Sequence, residues 1–217
     1  MQTLVLVPTD FERRHVRAGL GPLPAAVAGV ELCGFGPVAA AARTALLIAR
    51  DRPDRVLLVG IAGGIDPRLT PGTAHRFGAV ACHGIGAGSE GAFVPAGGLG
   101  WPQWPGDDAD GSRAIGDTIA LGEADADAGD GPLLLTVCAA SGCAADVERR
   151  RRLFPAAGAE DMEGFGVALA CRLHGVPCEI VRGISNVAGD RDHARWLTAE
   201  ALAAAAALAG DVLAETS

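Results

Sequence analysis

Three groups of residues in this chain have types and spacings that could do chemistry. Glu12 closes Val7-Pro8-Thr9-Asp10-Phe11-Glu12, just beyond the apolar run Leu4-Val5-Leu6-Val7. A carboxylate there can sit solvated in a first helical turn, favoured by the helix dipole, or serve as a general base. The second group is Glu160-Asp161-Met162-Glu163-Gly164 with Arg182-Gly183-Ile184-Ser185-Asn186. Acids at a helix start and an asparagine after a strand are each ordinary. The third is Gly34-Phe35-Gly36-Pro37-Val38-Ala39, which superficially matches a dinucleotide fingerprint. That reading needs an acid at the end of the next strand to hold a ribose, and Gly60 and Ile61 stand there instead, so glycines for a tight strand-to-helix turn explain it as well.

All three groups fall at or just after the C-terminal ends of predicted strands, where open α/β sheets place their ligands. Strands are expected at Leu4–Val7, Val30–Cys33, Arg55–Val59, Ala79–Cys82, Leu133–Cys138 and Glu179–Ile184. Arg55-Val56-Leu57-Leu58-Val59 is continuously apolar after its first residue, as in strands buried on both faces, and runs into Gly60-Ile61-Ala62-Gly63-Gly64. Helices are expected over 38–50, with Pro37 suited to the first position, over 161–174, stopped by Gly175 and Pro177, and over 198–215. Alternating strands and helices predict an α/β fold: a single domain over 1–217, with a central twisted mixed sheet flanked by helices. The Gly/Pro/Asp-rich stretch 84–132, carrying Trp101 and Trp104, reads as an insert with some helix near Ser112 to Ala120.

Composition narrows the chemistry further. The 217 residues are 49% apolar and 20% charged, enough to build a core. All 18 basic residues are arginine and tyrosine is absent, which removes Schiff-base and pyridoxal-phosphate enzymes, P-loop lysines and tyrosyl acids or bases. A net charge of −8 argues against a nucleic-acid partner. The one basic run, Arg149 to Arg152, reads as a solvated helix face. Cys33, Cys82, Cys138, Cys143, Cys171 and Cys178 form no Cys-x-x-Cys pair and are expected to be free, buried thiols. His15, His75, His83, His174 and His193 lack ligand spacing, so neither a metal nor any other cofactor is expected. No leader or membrane span is evident, and a cytoplasmic protein without a membrane partner is the expectation.

Taken with Phe154-Pro155-x-Ala157-x-Ala159 and Gly60-Ile61-Ala62-Gly63-Gly64, the order and spacing of Asp161-Met162-Glu163-Gly164 and Arg182-Gly183-Ile184-Ser185-Asn186 resemble the nucleoside phosphorylase and nucleosidase family. Within it, the chain is most similar to methylthioadenosine nucleosidases and futalosine hydrolases. The likeness runs from Leu4 to about Asp192 and fails mainly across the insert. It implies cleavage of an N-ribosidic bond through an oxocarbenium-like transition state, with a small-molecule nucleoside as partner and a homodimer or higher homo-oligomer as assembly. By the resemblance, Glu12 activates water, Glu163 accepts hydrogen bonds from the ribose hydroxyls, Met162 packs on the sugar, and Ala62 and Gly63 line the nucleoside.

Departures from the family pattern narrow the substrate. Asn186 stands where the adenine-specific nucleosidases carry an aspartate. A carboxamide offers two donors and one acceptor, which suits a 6-oxopurine and assists the leaving base by hydrogen bonding. Leu58 and Ile61 occupy the phosphate positions of the phosphorylases, so water is the expected nucleophile. The aromatic that stacks under the base would fall near Ala140, which has no ring; Phe165 is a candidate wall. Gly189-Asp190-Arg191-Asp192-His193 with Trp196 looks like the corresponding stretch of futalosine hydrolases, where Arg191 could pair with a benzoate-like 5′ group and Trp196 could cover its ring. Internal Asp–Arg pairing in a solvated loop explains the same residues. The expectation is a hydrolase releasing hypoxanthine from futalosine, a step towards menaquinone. The alternatives are an adenine-type nucleosidase, a phosphorylase, or an inactive nucleoside binder.

Overall fold

The computed structural model describes residues 1–89, 92–107, 114–122 and 131–215. Among the described residues, eleven strands and five α-helices follow in the order β1 (Thr3–Val7), α1 (Asp10–Leu20), β2 (Val27–Leu32), α2 (Pro37–Asp51), β3 (Arg55–Gly64), β4 (Ala74–Arg76), β5 (Ala79–His83), β6 (Gly86–Ala87), β7 (Val94–Pro95), β8 (Thr118–Ala120), β9 (Leu133–Val137), α3 (Ala144–Leu153), β10 (Ala157–Asp161), α4 (Gly164–His174), β11 (Cys178–Val187) and α5 (Thr198–Ala214). Nine of these strands form one mixed sheet in the order β2-β1-β3-β10-β9-β5-β8, with β11 on the other side of β3 and β4 beyond it.

Alternation within the strands explains why both faces are covered. Leu4, Leu6, Val56 and Leu58 point to a core shared with α2 and α4, whereas Val5, Val7, Leu57 and Val59 point to one shared with α1 and α5. A strand buried on both faces has no polar side to show, hence its continuously apolar run. The helices approach closely where glycine allows it. A Cβ on Gly183 of β11 would strike the carbonyl of Ala201 in α5, with the carbonyl carbon at 2.5 Å, and that backbone cannot step aside. Gly183→Ala should therefore destabilise the fold by ~1–3 kcal/mol, read as a lower urea midpoint at unchanged slope; an unaltered midpoint would show that α5 can shift.

β3 is the axis of the molecule. Its first half pairs with β1 in parallel, its last residues pair with β10 antiparallel, and β11 follows it along its whole length. The β3–β11 register slips between Ile184 and Asn186, where Ser185 is the extra residue, as in a β-bulge. Because side chains alternate, the slip moves Asn186 off the face occupied by Arg182 and sets it opposite Gly63. At the other end of the sheet the buried Arg55 bonds Glu179 at 2.8 Å and Thr3 at 2.8 Å, closing the floor with paired charge.

Several expectations change. β3 continues through the Gly-rich segment to Gly64 instead of stopping at Val59, and β11 extends to Val187. The segment before α4 is a strand, β10, so the helix starts at Gly164 and Asp161 ends a strand. The described end of the stretch expected as helix is strand β8; Ser112 itself lies outside the described residues. Cys138 and Cys143 are exposed, whereas Cys33, Cys82, Cys171 and Cys178 are buried and free. Burial pushes the Cys33 and Cys82 thiols up to about 12. Among the described residues no helix is long and apolar enough to cross a membrane.

Candidate active site

A cavity of ≈ 580 Å³ opens at the C-terminal ends of β1, β3, β10 and β11, a size suited to a small-molecule ligand. Glu12, Ala62, Gly63, Met162, Glu163, Asn186, Arg191 and Trp196 all line it. Phe165 does not: it is 3% exposed and packs in the core beneath, because it follows the start of α4 on the helix face turned towards the sheet. Trp101 and Trp104 are also absent from the lining.

Glu12 is held by a capping box. Thr9, the residue before α1, accepts from the Glu12 N–H, and Glu12 Oε2 accepts from the Thr9 N–H at 3.1 Å and its hydroxyl at 2.6 Å. Glu12 Oε1 accepts from the Ile61 N–H at 3.1 Å. The carboxylate is thus 4% exposed and fixed against β3, not solvated at a helix end. A Cβ on Gly60 would fall against Arg182 Nη1 and within 2.7 Å of Glu12 Oε1, so the missing side chain is what lets acid and guanidinium approach.

Arg182 organises the wall under the cavity. It is fully buried in β11, donating to Asp161 through Nε at 3.1 Å and through Nη2, and to Glu163 through Nη2 at 3.3 Å. Burial disfavours its charge, but Asp161, Glu163 and Glu12 override that and raise its pKa. Among the described residues its Nη1 finds no hydrogen-bond partner. Asp161 in turn accepts from Thr136 at 2.6 Å and from the Gly164 N–H at 2.8 Å. Glu163 precedes α4 and accepts from the Gly36 N–H at 3.0 Å, which gives the Gly34-Phe35-Gly36 turn its role: it brings a main-chain donor to the carboxylate. Burial, followed by the nearby Asp161 and Glu12, outweighs Arg182 and pushes Glu163 up to about 7.

Asn186 is less open than its type suggests. Its amide donates to Val187 O at 2.8 Å and, weakly, to Asp190 O at 3.4 Å, while its oxygen accepts from Ser185 Oγ at 2.8 Å. Only the donor held at 3.4 Å is free to turn to a ligand without breaking a good bond. In the neighbouring loop Asp190 and Asp192 pair with Arg195. Arg191 lies over the Trp196 ring, 5.3 Å from its centroid, and His193 stacks on the same ring at 4.4 Å. The internal ion pairs therefore belong to Arg195, and Arg191 faces the cavity with Trp196.

Two further sets of residues reach this site. Arg182 stands within a segment singled out by its spacing, and the signal for it was an arginine between Ile180-Val181 and Gly183-Ile184, where a charge is tolerated only if carboxylates meet it. Arg150 departs from the solvated face expected of Arg149 to Arg152: it is 9% exposed, turned inward onto Glu160, Ser141 and the Ala139 carbonyl. Glu160 and Ser141 line the cavity beside Ala140. Among the described residues no cluster of ligating side chains could hold a metal ion.

Comparison with known proteins places this geometry. The family model described as the phosphorylase superfamily matches residues 10–216. A futalosine hydrolase of Streptomyces coelicolor is 36% identical over 182 residues, covering 79% of this chain and 72% of that protein. A 5′-methylthioadenosine/S-adenosylhomocysteine nucleosidase of Tolumonas auensis is 30% identical over 196 residues, covering 87% and 78%. The crystal structure of the corresponding nucleosidase of Helicobacter pylori with butyl-thio-DADMe-Immucillin-A superposes with a TM-score of 0.76 at 17% identity, over 99% of each chain, a likeness of fold.

Proposed function

The chain belongs to the phosphorylase superfamily and is an N-glycosyl hydrolase of purine nucleosides; within that activity we propose that its substrate is futalosine, released as hypoxanthine and dehypoxanthine futalosine on the way to menaquinone. What carries the reading is the meeting of Glu12 and Glu163, both lining the cavity, at one Arg182 buried beneath it, while the positions that would hold phosphate are the buried Leu58 and the apolar Ile61.

In this mechanism Glu12, fixed by Thr9 and Ile61, takes a proton from water as the water oxygen bonds to C1′ of the ribose; the C1′–N9 bond breaks with its electron pair leaving on the base, which takes a proton from solvent as Glu12 gives its own back to solvent. Glu163 accepts from the ribose hydroxyls and Met162 covers the sugar. Asn186 turns its weakly held N–H to the base, stabilising the charge that develops there. Arg191 pairs with a 5′ carboxylate above Trp196. The 36% identical relative is itself a futalosine hydrolase, which supports this substrate.

A methylthioadenosine-type nucleosidase is the second reading. The observation favouring it is that one Asn186 donor is held by the Val187 carbonyl at 2.8 Å, while its oxygen, which accepts from Ser185 Oγ, keeps a second lone pair that suits a 6-amino group. Turnover of futalosine, its 6-amino analogue, inosine and methylthioadenosine, with and without phosphate, separates the readings by the base and sugar released. Hypoxanthine and free dehypoxanthine futalosine are expected. A ribose 1-phosphate product would exclude hydrolysis, and preference for the 6-amino analogue would install the second reading.

The Glu163 carboxyl also sets a pH dependence. Only its ionised form accepts from two hydroxyls, so kcat/KM should fall roughly tenfold per pH unit below about 7 and be level above it. A profile flat down to pH 5 would remove Glu163 from ribose binding. For stability the sign is opposite. The unfolded chain releases this proton near 4.5 and the folded chain near 7, so the contribution of Glu163 to stability declines as pH rises through that window.

A further inference from the structure

Two residues of the cavity share one acceptor. The Asn186 amide donates to the carbonyls of Val187 at 2.8 Å and Asp190 at 3.4 Å, and the Trp196 indole Nε1–H donates to the same Asp190 carbonyl at 3.1 Å. Asn186 and Trp196 both line the cavity. The carboxamide cannot be turned over, because its oxygen would then face two carbonyl oxygens. Ser185 Oγ, donating to the carboxamide oxygen at 2.8 Å, fixes the same orientation. The polar link between the two side chains therefore runs through Asp190.

That carbonyl is held in place from several sides. Residues 187–190 make a β-turn: the Asp190 N–H donates to Val187 O at 3.1 Å, and Gly189 has φ +83°, as the third position of a type II turn requires. A Cβ on Gly189 would lie 2.8 Å from the main chain of Cys143, the residue before α3, so the turn is seated against the start of that helix. Beyond the turn, the Asp190 carboxylate accepts from the Asp192 N–H at 2.9 Å and from Arg195 at 2.8 Å. The Asp190 carbonyl is thus a fixed point between two donors.

We propose that the Trp196 indole N–H is a positioning group for the leaving base: by occupying the Asp190 carbonyl it keeps that carbonyl from holding Asn186 firmly, and so leaves one amide N–H for the purine. The proposal rests on the reading of Asn186 as the donor to the departing base and deepens it. A carbonyl oxygen can take two donors, but electron density drawn towards one is not offered to the other, and the nearer donor here is the indole. The long Asn186 contact is the result. Its release costs little, which suits a bond needed only as charge develops on the base. In this role Trp196 acts through Asn186.

The test is a cycle of Trp196→Phe, Asn186→Ala and the double variant, with kcat and KM measured on the purine nucleoside that the unmodified enzyme turns over fastest. Trp196→Phe keeps a ring at the cavity and loses the N–H. It should lower kcat by ~3- to 10-fold, the worth of one neutral hydrogen bond, and in the Asn186→Ala background it should leave kcat unchanged. A ring that only covers the substrate would instead raise KM in both backgrounds with kcat kept. That result, or an equal fall in kcat with and without Asn186, would overturn the proposal while Asn186 keeps its role. If Asn186→Ala itself leaves kcat unaltered, the carboxamide is not the donor to the base, and the proposal falls together with the reading beneath it. Should Trp196→Phe not fold, the benzothiophene analogue of tryptophan, placed at position 196 alone, keeps the shape without the N–H. The same fall in kcat is expected of it, and an undiminished kcat would overturn the proposal.

Discussion

Replacing Glu12 with glutamine is expected to lower kcat by about 10²- to 10⁴-fold, the range a positioned general base supplies, with substrate binding largely kept. Glutamine has nearly the same shape, so the cavity is not refilled, but its amide cannot take a proton from water. The three contacts to Glu12 are all donors: two from Thr9 and one from Ile61. Glutamine satisfies them with one oxygen and opposes them with its NH₂, so a loss of about 1 kcal/mol in the α1 cap accompanies the substitution. Measuring the urea midpoint beside single-turnover rates separates the two effects. Unchanged turnover in folded Glu12→Gln would remove the carboxylate from the reaction.

Arg182→Met is expected to be the most damaging single change to the wall, at ~3–5 kcal/mol of folding stability, because it leaves carboxylates buried without their cation. Asp161 and Glu163 both lose a donor, and Glu12 loses a nearby positive charge. The sign with pH is diagnostic. Without the guanidinium the acids protonate more readily, and protonated acids cost less to bury, so the deficit should be larger at pH 8 than at pH 5. Arg182→Lys should rescue little, since a point charge cannot reach Asp161 and Glu163 through separate planar N–H groups. Equal stability losses at both pH values would mean that packing, not charge, is what Arg182 contributes.

The two rows of the sheet core were legible because alternation in Leu4 to Val7 and the apolar run Val56 to Val59 are direct images of strands covered on both faces. Glu12, Met162, Glu163, Asn186 and the Gly60 to Gly64 segment were legible as a set by order and spacing, and the four side chains do meet in one cavity with Ile61, Ala62 and Gly63. β10 was not. Ala157-Gly158-Ala159-Glu160-Asp161 has no β-branched residue and ends in two acids, so it looks like the lead-in to a helix. It is a fully buried strand only because Thr136, Ser141, Arg150 and Arg182 satisfy those acids from elsewhere in the chain. The same reason hid Arg150. Four consecutive arginines carry no mark of which one turns inward; the partner that selects it lies on another element. Phe165 shows the converse error, an aromatic near a site motif whose helix phase directs it into the core.

The slip at Ser185 has a consequence for how such a site can change over time. Arg182 and Asn186 are separated by an even step, which in a regular strand would leave them on one face; the extra residue divides them, one serving the charged wall and the other set opposite Gly63. The number of residues between them is therefore as much a part of the site as their identities. Substitutions in this stretch adjust the pocket by degrees, but gain or loss of one residue reverses which side Asn186 serves while leaving most of the sheet's pairing available. Variation by point change is gradual here, and variation in chain length is all-or-none.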